Sequence, residues 1–428
     1  MSTNPPEVAI FKRRESEARS YCRGCDTVFT SAIGSEMIAR DSTRYIDFLA
    51  GCSSLNYGHN DPDMKDAFID HLQSDGLAHG LDLHTDAKAA FLDAFDRFIL
   101  QPRKMDHKVM FTGPTEANAK EAALKLARKV TGRTNAIAFT NGFHGVTLGA
   151  LSATGNSYHR GGAGTTLNGV TRMPYDGYFP GNTDTADFLE AMLRDRSSGL
   201  DAPAALLLET VQGEGGLNAA RPEWVRRVAA LAQKHGALLI IDDIQAGCGR
   251  TGGFFSFEDM GVTPDIVTLA KSVSGFGLPM ALLLVRPEHD VFGPAEHNGT
   301  FRGNTHAFVT ACVAISKFWG DDRFQIDVTR KAKLLTAALE DMAELLPGAT
   351  LKGRGMMQGL DVGSRELAAM VCARAFKDDL IIETSGKEDQ VIKVLAPLTT
   401  DDDTLLKGLK VLRHALRMTT DSSKFAAE

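Results

Sequence analysis

The stretch that decides the fold opens Ala237-Leu-Leu-Ile-Ile-Asp-Asp243 and closes Pro264-Asp-Ile-Val-Thr-Leu-Ala-Lys-Ser272. Its two apolar runs, 237–241 and 266–270, are short, rich in Ile, Leu and Val and free of helical spacing. They read as buried strands of a parallel sheet. Each run stops at a polar residue, Asp242 in one and Lys271 in the other. Ligands of open α/β sheets sit beyond the carboxyl ends of the strands, so this acid and this amine share one crevice. Alone, such a lysine is an ordinary surface residue and such an acid a helix cap. Together they suit pyridoxal phosphate, which needs a lysine for its aldehyde and an acid to keep its ring nitrogen protonated.

Between and after the runs stand Asp242-Asp-Ile-Gln-Ala-Gly-Cys-Gly-Arg-Thr-Gly252 and Thr268-Leu-Ala-Lys-Ser272. These segments resemble the fold-type I, class III aminotransferases, whose motif runs Asp-Glu-Val-Gln-x-Gly-x-Gly-Arg-Thr-Gly before the cofactor lysine. The resemblance implies Asp242 as partner of the pyridine nitrogen, Gln245 as neighbour of the ring hydroxyl and Lys271 as the Schiff-base lysine. Asp243 departs from the family's Glu. It also implies an α/β fold: a large domain with a mostly parallel sheet flanked by helices, plus a smaller α+β domain built from both termini. The expected boundaries are 1–56 for the N-terminal part of the small domain, 57–315 for the large domain and 316–428 for the rest.

Composition agrees with an enzyme of ordinary globular type. The chain has 428 residues, of which 43% are hydrophobic and 24% charged, enough for a large core. A net charge of -7 argues against a general nucleic-acid surface, and no run reaches a membrane span of roughly 18 apolar residues. The opening Met1-Ser-Thr-Asn-Pro-Pro-Glu-Val8 has no signal-peptide core, so the expected location is the cytoplasm. Six cysteines in such a length do not make a disulfide framework. Cys22 and Cys25 form a CxxC without the second ligand pair that zinc requires, and no metal site is expected. The tail from Asp421 reads as frayed.

Other segments extend the pattern. Lys108-Val-Met-Phe111 reads as a strand leading through Thr112-Gly-Pro-Thr115 into a helix with Ala119, Ala123, Leu126 and Val130 on one face. Free N–H groups at such a helix start bind phosphate, and the resemblance puts Gly113, Pro114 and Thr115 at the cofactor-phosphate turn, with Thr115 an N-cap as well. In Asn141-Gly-Phe-His-Gly-Val146, Phe143 matches the family's ring-stacking position, followed by His144. Residues 155–200 read as long loops with one helix at 185–194. Gly161-Gly-Ala-Gly164 neither follows a clear strand nor opens a helix, which excludes a dinucleotide fingerprint, and Ala270 before Lys271 excludes a P-loop.

Ala204-Ala-Leu-Leu-Leu-Glu209 reads as another buried strand. By resemblance, Glu209 pairs with a substrate-binding arginine and switches the site between amine donors and acidic substrates; the alternative is a glutamate that holds the loop. A helix over 222–235 then returns the chain to Ala237. Gly299-Thr-Phe-Arg-Gly-Asn-Thr-His306 is similar to the family's Thr-Phe-x-Gly-Asn segment. The similarity implies that Thr300 reaches the cofactor phosphate of a neighbouring subunit in a homodimer with shared active sites. Tyr21, in Arg19-Ser-Tyr-Cys-Arg23, falls where the family brings an aromatic residue to substrate. Val391-Ile-Lys-Val-Leu-Ala-Pro-Leu398 has Lys393 in place of the family's carboxylate-binding arginine, so the bidentate fork is lost.

Within the family, Leu207-Leu-Glu-Thr-Val-Gln-Gly-Glu-Gly-Gly-Leu-Asn218 and Ser274-Gly-Phe-Gly-Leu-Pro-Met-Ala281 are most similar to members of ectoine biosynthesis. That similarity implies transfer of an amino group from L-glutamate to L-aspartate 4-semialdehyde, giving L-2,4-diaminobutyrate and 2-oxoglutarate. The alternatives are another ω-aminotransferase acting on ornithine or 4-aminobutyrate, an aminomutase, and a cofactor-binding regulatory protein. The last needs a DNA-binding module that the sequence does not display.

Overall fold

The computed structural model describes residues 8–181 and 183–425. Residues 1–7, read above for a leader, lie outside them. The deciding runs form neighbouring strands of a seven-stranded sheet. In chain order the strands are β1 Lys108–Phe111, β2 Ala136–Phe139, β3 Val170–Met173, β4 Ala205–Leu208, β5 Leu238–Asp242, β6 Ile266–Leu269 and β7 Leu282–Val285. Their spatial order is β1-β7-β6-β5-β4-β2-β3. Only β7 is antiparallel to its neighbours. Every residue of β2, β4, β5, β6 and β7 is buried, as expected for strands covered on both faces.

The edge strand β3 is a correction to the reading of residues 155–200 as loops. Its residues Val170-Thr-Arg-Met173 are only partly buried until Met173, and a half-covered edge carries too little apolar signal to stand out.

Helices on the two faces have different chemistry for a physical reason. Helix α1, Glu116–Thr131, turns Ala119, Ala122, Ala123 and Ala127 onto small residues of the sheet such as Ala136, Ala138 and Ala205. Alanine against alanine lets this helix lie close to the strands. Helix α2, Pro222–Lys234, sits among bulkier groups, with Trp224 edge-on to Phe139 at 5.0 Å between ring centres.

A second core gathers Ile46 and Phe48 with Leu335, Leu339, Leu360, Ile392, Leu405, Leu409, Leu412 and Leu416. It joins early and late chain. Arg44–Asp47 pairs in parallel with Leu380–Ile381, and the Ser35 and Thr400 hydroxyls meet at 2.6 Å. The last helix spans Asp402–Phe425, so the backbone stays helical past Asp421.

Two local devices hold this second core against the sheet. Ala50, Cys52 and Ser53 take left-handed φ of 45°, 54° and 69°, at about 1–2 kcal/mol each for residues with a Cβ. Asp47 Oδ1 offsets part of that cost by accepting N–H groups of Leu49 and Ala50, both at 2.8 Å, and Ser272 Oγ donates to Ser53 O at 2.6 Å. The turn thereby ties Cys52 to the segment that carries Lys271. The fully buried Arg250 donates to Asn56 Oδ1 at 2.7 Å and to the carbonyls of Leu395 and Ala396. One guanidinium thus joins three distant parts of the chain.

Candidate active site

Asp242 is the last residue of β5 and stands opposite Thr268 of β6. Thr268 Oγ1 donates to Asp242 Oδ1 at 3.1 Å, which fixes one side of the carboxylate. The other oxygen, Oδ2, accepts from His144 Nδ1 at 2.8 Å and lies 3.2 Å from Lys120 Nζ. Burial pushes this acid up, but the Lys120 charge and the His144 hydrogen bond prevail and hold it at about 2. Asp242 is therefore a permanent buried anion. Burial lowers the His144 ring, against the pull of Asp242.

Lys271 follows β6 and begins a short turn with a left-handed φ of 54°. Strain of that kind in a residue with a long side chain is a recurrent mark of a working site. Its Nζ lies 3.5 Å from Glu116 Oε1, on the first turn of α1. Burial raises the Glu116 carboxyl, yet the Lys271 charge and the helix-start N–H keep it below its usual value. Glu116 and Lys120 are one helical turn apart, so α1 presents an acid toward Lys271 and a base toward Asp242.

The turn at 112–115, expected to take phosphate, lies ahead of α1, where the first N–H groups of a helix have no internal partners. Thr115 occupies the N-cap position without accepting a capping bond; its hydroxyl donates to Asn118 Oδ1 at 2.8 Å. A Cβ on Gly113 would fall 2.7 Å from that same oxygen. Phe143 is half-buried between Glu209 and the edge of the His159 ring.

Glu209 is not where the switch reading puts it. Its carboxylate is buried and accepts the N–H groups of Phe143 at 3.0 Å and Gly213 at 3.3 Å. Burial and the nearby Asp242 charge raise it to about 8. It holds the loop. The acid beside Lys393 is Glu214, five residues on, with Oε1 at 2.9 Å from Lys393 Nζ. The reason is the hairpin of Val211–Gln212 with Asn218–Ala219, which carries its tip to Val391–Val394. A Cβ on Gly213 would sit 1.7 Å from Gln245 Oε1, so glycine lets the Gln245 amide lie against this turn.

Lys393 is completely buried between Glu214 and Glu383, whose Oε1 lies 2.8 Å away. The two carboxylates outweigh burial and keep its ammonium charged. Burial opposes but the Lys393 charge and bonds from Lys393 and Gln245 hold Glu214 at about 2. Gln245 Nε2 donates to Glu214 Oε1 at 3.0 Å, leaving Gln245 Oε1 buried without a partner among the described residues. Cys52 Sγ lies 3.0 Å from the Tyr21 hydroxyl and 3.6 Å from Glu383 Oε1, so Tyr21 joins the same cluster by its polar end while its ring stays exposed. Thr300 is exposed on a loop, apart from these contacts. Among the described residues, no group of three or more His, Cys, Asp or Glu is placed to hold a metal, and no helix is long and apolar enough to cross a membrane.

Asp243, the departure from the family motif, faces away from this cluster. It accepts Ser256 N at 3.1 Å, and burial pushes it up to about 7. Because its folded value lies above the unfolded 3.8, ionising it costs stability, which falls as pH rises from about 4 through about 7. Asp243→Asn is expected to flatten that decline, by at most about 1.4 kcal/mol per pH unit. Urea unfolding of both proteins between pH 4 and 8 checks this; parallel profiles would count against it.

The comparisons converge on one family. The family model described as aminotransferase class III matches residues 21–416. The chain is 51% identical to a diaminobutyrate–2-oxoglutarate transaminase of Halalkalibacterium halodurans, covering 99% of both chains. It is 53% identical to one of Vibrio cholerae, over 95% of this chain and 99% of that protein. Among solved structures it resembles a transaminase of a marine Virgibacillus, with TM-score 0.86 and 19% identity over 98% of this chain and 100% of that one. It also resembles the ornithine aminotransferase of Toxoplasma gondii, with TM-score 0.83 and 24% identity over 99% and 97%. These two likenesses concern the fold.

Proposed function

Because the chain belongs to the class III aminotransferases, we propose that it transfers an amino group from L-glutamate to L-aspartate 4-semialdehyde, giving L-2,4-diaminobutyrate and 2-oxoglutarate. The observation that carries the chemistry is the placement of Lys271 and Asp242 at the carboxyl ends of adjacent parallel strands. The substrates rest on the near 50% identity to diaminobutyrate–2-oxoglutarate transaminases along nearly the whole chain.

The residues present fit pyridoxal 5'-phosphate. Asp242 is the buried anion that a protonated ring nitrogen needs, and Gln245 Oε1 is a buried acceptor awaiting a donor such as the ring hydroxyl. The turn at Gly113, Pro114 and Thr115 offers helix-start N–H groups to the phosphate. Phe143 stands ready to cover the ring face, and Lys271 is the attachment point. When bound, the cofactor supplies a ring that accepts the electron pair left on the substrate carbon as its proton departs.

The chain's own groups do the rest. Lys271 Nζ, as a free amine, is the group that would take up the proton leaving the substrate carbon and hold it for return. Glu116 is the partner of its charged form. Asp242, held ionised by Lys120 and His144, keeps its negative charge throughout the cycle. Lys393 receives a substrate carboxylate, which must compete with Glu214 for the ammonium. That competition lets one pocket take glutamate, reacting at its α-amine, and diaminobutyrate, reacting at its terminal amine.

A cytoplasmic homodimer belongs to the same proposal, with Thr300 reaching the phosphate of the second copy. It is supported by Phe301 beside Thr300 and by Leu77, Leu81 and Leu83, all exposed large apolar groups on one chain.

The visible spectrum of the cofactor-loaded protein tests the function. Adding L-2,4-diaminobutyrate is expected to bleach the band of the lysine-bound cofactor, and 2-oxoglutarate to restore it. Bleaching by ornithine or 4-aminobutyrate but not by diaminobutyrate would overturn the substrates and leave the chemistry.

A further inference from the structure

The cluster around Lys393 carries one more carboxylate than the exchange with a substrate carboxylate requires. Glu214 alone would neutralise the buried ammonium, at 2.9 Å and with a further bond from Gln245. Glu383 adds a second acid at 2.8 Å on the same nitrogen. With both acids ionised the group bears a net negative charge in a desolvated place. Glu383 is also poorly satisfied. A carboxylate has about four acceptor sites, and among the described residues the side-chain contacts of Glu383 beyond Lys393 are to the Cys52 thiol, at 3.6 and 3.8 Å, a weak donor. Cys52 in turn lies 3.0 Å from the Tyr21 hydroxyl, so Glu383 borders the wall that Tyr21 and Cys52 form. Glu383 retains some exposure, whereas Lys393 has none.

The chemistry of the two amine donors explains such an excess. Diaminobutyrate, bound by its terminal amine, presents an α-amino-acid head at its far end, a carboxylate together with an ammonium. Glutamate, bound by its α-amine, presents only a carboxylate there. We propose that Glu383 selects donors with an α-amino-acid head: its carboxylate receives the α-ammonium group while Lys393 receives the α-carboxylate. This rests on the substrates proposed above. A carboxylate that meets a desolvated ammonium makes one of the stronger hydrogen bonds available to a protein, and losing it leaves the ligand's charge uncompensated.

4-Aminobutyrate is the matched probe, since it differs from diaminobutyrate only in lacking the α-ammonium. Single half-reactions of wild type and Glu383→Gln are to be followed by cofactor absorbance with diaminobutyrate, 4-aminobutyrate and L-glutamate. The variant is isosteric and leaves Lys393 paired with Glu214, so the fold is kept, and the glutamate half-reaction serves as its internal control. The expected result is a loss on the order of 30-fold in kcat/KM with diaminobutyrate. 4-Aminobutyrate and glutamate are expected to react at least as fast as in wild type, and Glu383→Asp to recover part of the loss. An unchanged preference for diaminobutyrate over 4-aminobutyrate overturns the assignment. So does an equal fall with all three donors, which would mark Glu383 as structural. A wild type that does not accept diaminobutyrate overturns the substrates themselves, and the proposal with them.

Discussion

Lys271→Ala is expected to lower turnover by about 10⁴-fold while leaving the fold intact, because it removes the proton-transfer group and the attachment point together. The lysine cannot be replaced by a neighbour. Lys120 and Lys393 are the other buried amines of the site, and each is committed to carboxylates, at 3.2 Å from Asp242 and at 2.8 and 2.9 Å from Glu383 and Glu214. Stability should change little. The partner lost is Glu116, a side chain 43% exposed, and ion pairs with so exposed a member contribute about 0–1 kcal/mol. Alanine also tolerates the left-handed φ no worse than lysine does. Steady-state rates, with thermal unfolding as the control, decide the matter. Activity within tenfold of wild type would end the assignment of Lys271.

The second large effect concerns a pair. Asp242→Asn is expected to cost about 10²–10³-fold in turnover, since a neutral amide no longer favours positive charge on the ring nitrogen. It also strips Lys120 of its one ion-pair partner among the described residues. Both side chains are nearly inaccessible, and an uncompensated buried cation costs about 3–5 kcal/mol. Adding Lys120→Met should therefore restore most of the stability and none of the activity. Urea unfolding and turnover of the single and double variants separate the two effects. A stable Asp242→Asn protein would show that Lys120 does not depend on this acid.

Much of the catalytic frame was legible because strand ends are. Apolar runs that stop at Asp242 and Lys271 fix both groups on one edge of a parallel sheet without knowledge of distant contacts. Gly113 to Thr115, Phe143, His144 and Gln245 follow within five residues of a strand end, so their nearness to the same edge was legible for the same reason. Side chains set by folding partners were not. Glu209 and Glu214 stand in one motif, and only the hairpin between them decides which meets Lys393. Lys120 sits in a run of helix formers and reads as a solvated lysine; the alanine-lined approach of α1 to the sheet is what brings it to Asp242. Glu383 and Cys52 come from opposite ends of the chain, 331 residues apart. A signal existed for Glu214, the second acid of Glu209-Thr-Val-Gln-Gly-Glu214, and for Lys120 there was none.

The joining of early and late chain has a consequence for how the molecule forms. The strand Arg44–Asp47 finds its parallel partner at Leu380–Ile381, the Ser35 hydroxyl waits for Thr400 across 365 residues, and Arg250 gains the carbonyls of 395 and 396 only when they arrive. The sheet carrying Lys271 and Asp242 needs none of these, since its strands lie between 108 and 285. On the ribosome it can assemble first, while Arg44–Asp47 still lacks its late partner. Contacts of such long range make folding slow and favour a populated intermediate. Refolding from denaturant is thus expected to regain helix and sheet signals well before activity, the lag being the time the two chain ends take to meet.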